Sequence, residues 1–171
     1  MKNESTHSQV FSGLILLTGQ DKPGLANALF EALSPFAVSI IDIDQIVISS
    51  RLILTVQISL NQAHQGAIES DLELLAQRLE IDIASVFDFS DSPSAMQHDA
   101  TVRITASKML PRFINSVTSV VLSSGGNILR FNRSSINPMV IEIDVVGSTA
   151  TNLQQAFSAM PAESDLQISV H

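Results

Sequence analysis

The sequence predicts an α+β protein in which one βαββαβ pattern is written twice. Three observations carry this: short apolar runs alternating at a period of two, apolar stripes at helical spacing between them, and recurrence of the same order after a Ser/Pro-containing stretch near the middle of the 171 residues. Residues 11–17 read as a strand, broken by Thr18-Gly19-Gln20-Asp21-Lys22-Pro23-Gly24, after which Leu25, Ala28, Leu29, Ala32 and Leu33 recur as a helical stripe. Residues 38–48 are a long β-branched run, Ser49-Ser50 is the turn, and Leu52, Leu54, Val56, Ile58 and Leu60 alternate with Ile53, Thr55, Gln57 and Ser59, so one face of this strand points inward. Ile68, Leu72, Leu75, Ala76 and Leu79 form a second helical stripe, and residues 81–89 return to strand periodicity.

Residues 90–99 have linker composition, after which the order recurs: a strand at 101–106, a helix marked by Phe113, Val117, Val120 and Val121, a hairpin of 127–136 and 139–147 around Asn137-Pro138, a helix marked by Leu153, Ala156, Phe157 and Met160, and a closing strand at 166–170. Gly125-Gly126 should end the third helix, because glycine tolerates the left-handed geometry there. The domain boundaries expected are 10–90, a linker at 91–99, and 100–171, each domain laying two helices on one face of a four-stranded ferredoxin-like sheet. Domains this small bury little surface alone, so pairing is expected.

Composition narrows the function. Nine Lys plus Arg against 17 Asp plus Glu leave a formal charge of -8, the wrong sign for gripping a phosphate backbone, so nucleic acid is excluded as the main partner. The absence of Cys removes disulfides, thiolate metal sites and thiol catalysis and suits a reducing compartment. No apolar run approaches the roughly 18 residues of a membrane span, and Met1-Lys2-Asn3-Glu4-Ser5 opens no signal peptide, so a cytoplasmic protein without membrane contact is expected.

The stretch Leu16-Leu17-Thr18-Gly19-Gln20-Asp21-Lys22-Pro23-Gly24-Leu25, followed by Leu29-Phe30-Glu31-Ala32-Leu33-Ser34, resembles the start of an ACT domain, the small-molecule-sensing module of amino-acid metabolism. Ile41-Asp42-Ile43-Asp44-Gln45-Ile46-Val47-Ile48 running into Arg51-Leu52-Ile53-Leu54 is similar to the N-terminal tandem ACT region of long, actinobacterial-type phosphoserine phosphatases. The second half matches mainly through topology and Gly125-Gly126-Asn127-Ile128. The resemblance implies a sensor of serine or a related amino acid, attached to a haloacid-dehalogenase-like, magnesium-dependent phosphatase domain. That domain is not expected within these residues, so no cofactor is expected here and Mg2+ only in the absent catalytic part. Asp42-Ile43-Asp44 after Val38-Ser39-Ile40-Ile41 has the look of an aspartyl nucleophile, yet it falls mid-strand with no loop after it, and Lys108 is the only lysine beyond Lys22. These acids read as two residues on one strand face.

An amino-acid carboxylate needs backbone N–H donors at a helix start, which Pro23-Gly24 supplies, and its ammonium needs an oxygen acceptor such as Asp21 or a side-chain amide. The resemblance implies a pocket between two ACT units, combining the turn of one with an Asn at the second strand of the other. The first half has the turn but carries Asp42 near the Asn position; the second has Asn127 but replaces the turn with Ala106-Ser107-Lys108-Met109-Leu110-Pro111. The expected ligand-binding residues are therefore Gln20, Asp21, Lys22, Pro23, Gly24 and Leu25 with Asn127 and Ile128 of a second half, from the other subunit of a homodimer, giving two sites per dimer for a small amino acid such as L-serine or glycine. Pairing Asp42 with the Lys108 turn would set a carboxylate against the ligand's own. Asp21, Gly24 and Asn127 equally suit ordinary turn chemistry.

Other residues are bland. His7, His64, His98 and His171 lack metal-ligand spacing and read as solvated surface. Arg103, Arg130 and Arg133 are expected to pair across strands with Glu142 and Asp144. Ser123-Ser124-Gly125-Gly126 follows a helix and lacks a phosphate-loop lysine, so it is no nucleotide site. Two functions fit: the serine-sensing regulatory and dimerisation region of a phosphoserine phosphatase in L-serine biosynthesis, or a stand-alone tandem ACT regulator resembling the glycine cleavage system repressor.

Overall fold

A computed structural model of the chain describes residues 9–91 and 97–171. The chain divides into two compact units. The first contains β1 (Gln9–Gln20), α1 (Leu25–Leu33), β2 (Ser39–Ile48), β3 (Arg51–Ser59), α2 (Gln65–Leu79) and β4 (Asp82–Asp91). The second contains β5 (Ala100–Ala106), α3 (Pro111–Ser123), β6 (Asn127–Ile136), β7 (Met139–Val146), α4 (Ala150–Ser158) and β8 (Leu166–Val170). Each unit forms one antiparallel four-stranded sheet, ordered β2-β3-β1-β4 in the first and β6-β7-β5-β8 in the second. This is the duplicated split βαβ arrangement that the periodicity predicts.

In the first sheet the central strand β3 alternates as expected: Leu52, Leu54, Val56 and Ile58 are buried, while Ile53, Thr55 and Gln57 face the other side. The buried row packs with Ile15 and Leu17 of β1 against Leu25, Leu29 and Leu33 of α1 and Ile68, Leu72 and Leu75 of α2. The second sheet buries Val102 and Ile104 of β5 with Ile143 and Val145 of β7 against Val117 and Val121 of α3 and Leu153 of α4. Each unit therefore has a buried cluster of its own.

The strands run past their apolar stretches. β1 continues through Thr18, Gly19 and Gln20, which pair with Ile53, Leu52 and Arg51, so Gln20 closes a strand and the turn proper begins at Asp21. β4 extends through Asp91, a residue expected in the linker, while residues 92–96 of that expected linker lie outside the described ones. Ser49 and Ser50 both adopt positive φ, 49° and 64°, the hairpin geometry whose twist matches the flanking strands. The Asp21 N–H donates to the Ser50 carbonyl at 2.9 Å, which ties this hairpin to the β1–α1 turn. In the second unit, Gly125 takes up a φ of 77° just beyond α3, as the helix-ending role requires.

Candidate functional site

The β1–α1 turn is built by Lys22-Pro23-Gly24. Gly24 caps α1 with a φ of 93°, a conformation that costs a side-chain-bearing residue dearly, and its carbonyl accepts the Ala28 N–H at 2.9 Å. No side chain caps the first turn of α1, so its leading amide groups point outward without a local acceptor of that kind. A Cβ built on Gly24 would meet nothing within 4 Å, so space lies open in front of the turn.

That space is a depression of about 310 Å³, lined by Lys22, Pro23, Gly24, Leu25 and Ala28 on one side and by Arg78, Leu79 and Glu80 on the other. The start of α1 and the end of α2 thus face one hollow. The first carries the positive end of a helix dipole and the second the negative end, with one cationic and one anionic side chain beside it. Such a pair of poles complements a zwitterion: the carboxylate fits the α1 amides and Lys22 or Arg78, and the ammonium fits the last α2 carbonyls and Glu80. Glu80, at φ 53° beyond α2, was not apparent from sequence motifs. The signal was topological, since antiparallel helices on one sheet face bring the end of the second beside the start of the first. Gln20 and Asp21, also expected to bind, do not line the hollow, although both are exposed at the end of β1 beside it.

Asn127 and Ile128 belong to the second unit. Asn127 is exposed at the first position of β6, and both residues line a separate groove of about 340 Å³ with Gly126 and with Asn115, Thr118, Ser119 and Leu122 of α3. The groove has no ionisable side chain and mixes apolar residues with the polar Asn115, Thr118, Ser119 and Asn127. A wider hollow of about 560 Å³ between α4 and β8, lined by Gln154, Phe157, Ser158, Ile168, Ser169 and Val170, has no ionisable side chain and suits a zwitterion less.

The second unit's β5–α3 turn, the counterpart of the Gly24 turn, already holds a carboxylate. The Ser107 hydroxyl donates to Asp165 at 2.6 Å and the Ser107 N–H at 3.3 Å. These two hydrogen bonds, the hydroxyl first, with a smaller contribution from the Lys108 N–H, hold the Asp165 carboxyl below the usual carboxylate range. A depressed folded-state value contributes stability above the unfolded-state pKa and loses it as pH falls through the folded one. Ser107→Ala should therefore move the Asp165 carboxyl midpoint, followed by NMR, upward toward that of free aspartate.

Asp42 and Asp44 sit in mid-strand on one exposed face of β2, opposite Gln57 and Thr55. Among the described residues no group of three or more His, Asp or Glu could hold a metal, and no helix is long and apolar enough to cross a membrane. His98 and His171 are exposed, but His64 is half-buried with its ring 6.0 Å from that of Phe36, so it is a packing residue and not solvated surface; His7 lies outside the described residues. Arg103 pairs with Glu142 at 3.6 Å, and Arg130 lies opposite Asp144 in register. Arg133 opposes Ile141 and so stands on the other face from those acids.

Comparison with known proteins agrees with the fold. Residues 13–85 match the ACT domain family. The chain is 28% identical over 165 residues to the phosphoserine phosphatase SerB2 of Mycobacterium tuberculosis, covering 93% of this chain and 40% of that protein. It is 23% identical over 168 residues to a phosphoserine phosphatase of Streptomyces coelicolor, covering 97% and 41%. The chain spans about two fifths of the length of these curated relatives. Among solved structures it superimposes on a protein assigned as a glycine cleavage system transcriptional repressor with a TM-score of 0.72 at 21% identity, over 96% of this chain and 98% of that one. An uncharacterised protein from Galdieria sulphuraria gives 0.70 at 15% identity, covering 96% and 98%. The chain is thus a tandem of two ferredoxin-like βαββαβ units, the first of which matches the ACT domain family.

Proposed function

We propose that the chain is an amino-acid-sensing regulatory region whose ligand is a small zwitterion such as L-serine or glycine, bound at the first unit's β1–α1 turn. The observation that carries this reading is the contrast between the two turns. The first has an open hollow in front of positive-φ Gly24, between the poles of two helices; the second has Asp165 on its amide and hydroxyl groups. Lys22, Pro23, Gly24 and Leu25 form the carboxylate side. Asn127 and Ile128 of a second protomer complete the site in a homodimer, where a neutral amide can donate to the ligand without adding charge. Sequence similarity to the phosphoserine phosphatases supports the output: bound amino acid shifts the pairing state and thereby a downstream phosphatase of serine biosynthesis, in the cytoplasm. Ligand can act only through the difference in its affinity for the two states. A second reading, a regulator acting through a partner protein, draws on the superposition over nearly the whole of the repressor-assigned structure.

Calorimetric titration with L-serine and with glycine tests the shared core of both readings. Saturable heat is expected with at least one of them. Asn127→Ala should weaken binding about tenfold, the loss of a hydrogen bond to a charged group. Heat of dilution alone for both amino acids would refute the sensing role.

A further inference from the structure

The sheet face turned away from the helices differs sharply between the two units. In the first, register sets Leu14 and Leu16 of β1 beside Val86 and Ala84 of β4. Leu14 is 52% and Val86 67% exposed. In the second unit the matching places on β5 and the closing strand hold Thr101 and Arg103 beside His171 and Ser169. There Arg103 pairs with Glu142, and the Thr101 hydroxyl bonds Asp144 at 3.0 Å. One chain therefore builds the same face once for water and once with its apolar side chains uncovered, so the fold itself does not demand the apolar set.

We infer that the outer face of the first sheet docks a basic, amphipathic segment of another protein. Charge selects this occupant. Asp42 and Asp44 stand on that face on the β2 side of the apolar strip, and Asp82 and Asp88 flank it along β4. Arg51 is the cation of this face among the described residues, and it lies 3.8 Å from Asp82. A second copy laid face to face would bring its own aspartates against these, whereas a segment with an apolar row bordered by Lys or Arg covers Leu14, Leu16 and Val86 and meets the acids at the rim. The surface lies apart from the Gly24 hollow, and the inference holds whether or not that hollow binds an amino acid.

The test uses a fluorescein-labelled peptide of alternating Leu and Lys, read by anisotropy on the full chain, with an alternating Ser and Lys peptide as the charge-only control. Saturable binding of the Leu-containing peptide is expected, falling as salt rises. Leu14→Thr with Val86→Thr should weaken it at least tenfold, as removal of two half-exposed apolar contacts requires. Val86→Thr alone, on an edge strand, is the milder variant should the double one lose its circular dichroism. Asp42→Asn with Asp88→Asn should weaken binding and flatten its salt dependence, and Arg103→Ala should change neither. Equal affinity of the two peptides, unaltered binding by the apolar variants, or a wild-type dimer in sedimentation that Val86→Thr dissociates would each overturn the inference, the last assigning the face to a second copy.

Discussion

Leu54→Ala is expected to destabilise the first unit by about 2–5 kcal/mol, the cost of removing a fully buried leucine whose neighbours cannot collapse into the space. Leu54 is 0% exposed on the central strand β3, directly opposite Leu17 of β1, and belongs to the cluster that α1 and α2 cover. Because the buried residues of the second unit form their own cluster, hydrogen exchange should show β1–β4 amides losing protection while those of β5–β8 keep it. Equal loss in both units would mean that the two cores melt as one.

Gly24→Val is expected to lower affinity for a small amino acid at least tenfold and to cost about 1–3 kcal/mol of stability in the first unit. The cause is backbone strain and not a clash: the φ of 93° disfavours any side chain, and a β-branched one most, while the added Cβ meets nothing within 4 Å. To escape the strain the turn must rotate, and the leading α1 amides then no longer converge on the hollow. Gly24→Asn separates the two contributions, because asparagine tolerates left-handed geometry and should retain most of the stability. Thermal-shift titrations with L-serine and glycine read both quantities. A Gly24→Val protein that responds to amino acid as the wild type does would exclude this turn as the binding element.

The architecture was legible wherever local pattern and tertiary demand coincide. The alternation from Leu52 to Ile58 and the stripe of Ile68, Leu72 and Leu75 identify their buried faces because burial alone dictates which residues occupy them. Strand ends were less legible: Thr18, Gly19 and Gln20 carry turn-like composition, and their place in β1 comes from hydrogen bonds to Arg51, Leu52 and Ile53 on another strand. Pro23-Gly24 announced the helix start, because few residues other than glycine accept the required φ. Arg78 and Glu80 could not be found in that way, since the fold, and not sequence spacing, brings them to the same hollow. Asp165 was equally hidden. It lies 58 residues from Ser107 in the chain and reaches the β5–α3 turn only once the second sheet has formed.

Whether amino acid binds at the first unit's turn and not at the second's is read by amide chemical-shift mapping on the 15N-labelled chain during titration with L-serine and glycine. Dose-dependent shifts centred on Lys22, Gly24, Leu25 and Glu80, with Ser107 and Lys108 unmoved, are the predicted result. Shifts centred on Ser107 and Lys108, or none in either turn at saturating amino acid, would contradict binding at the first unit's turn.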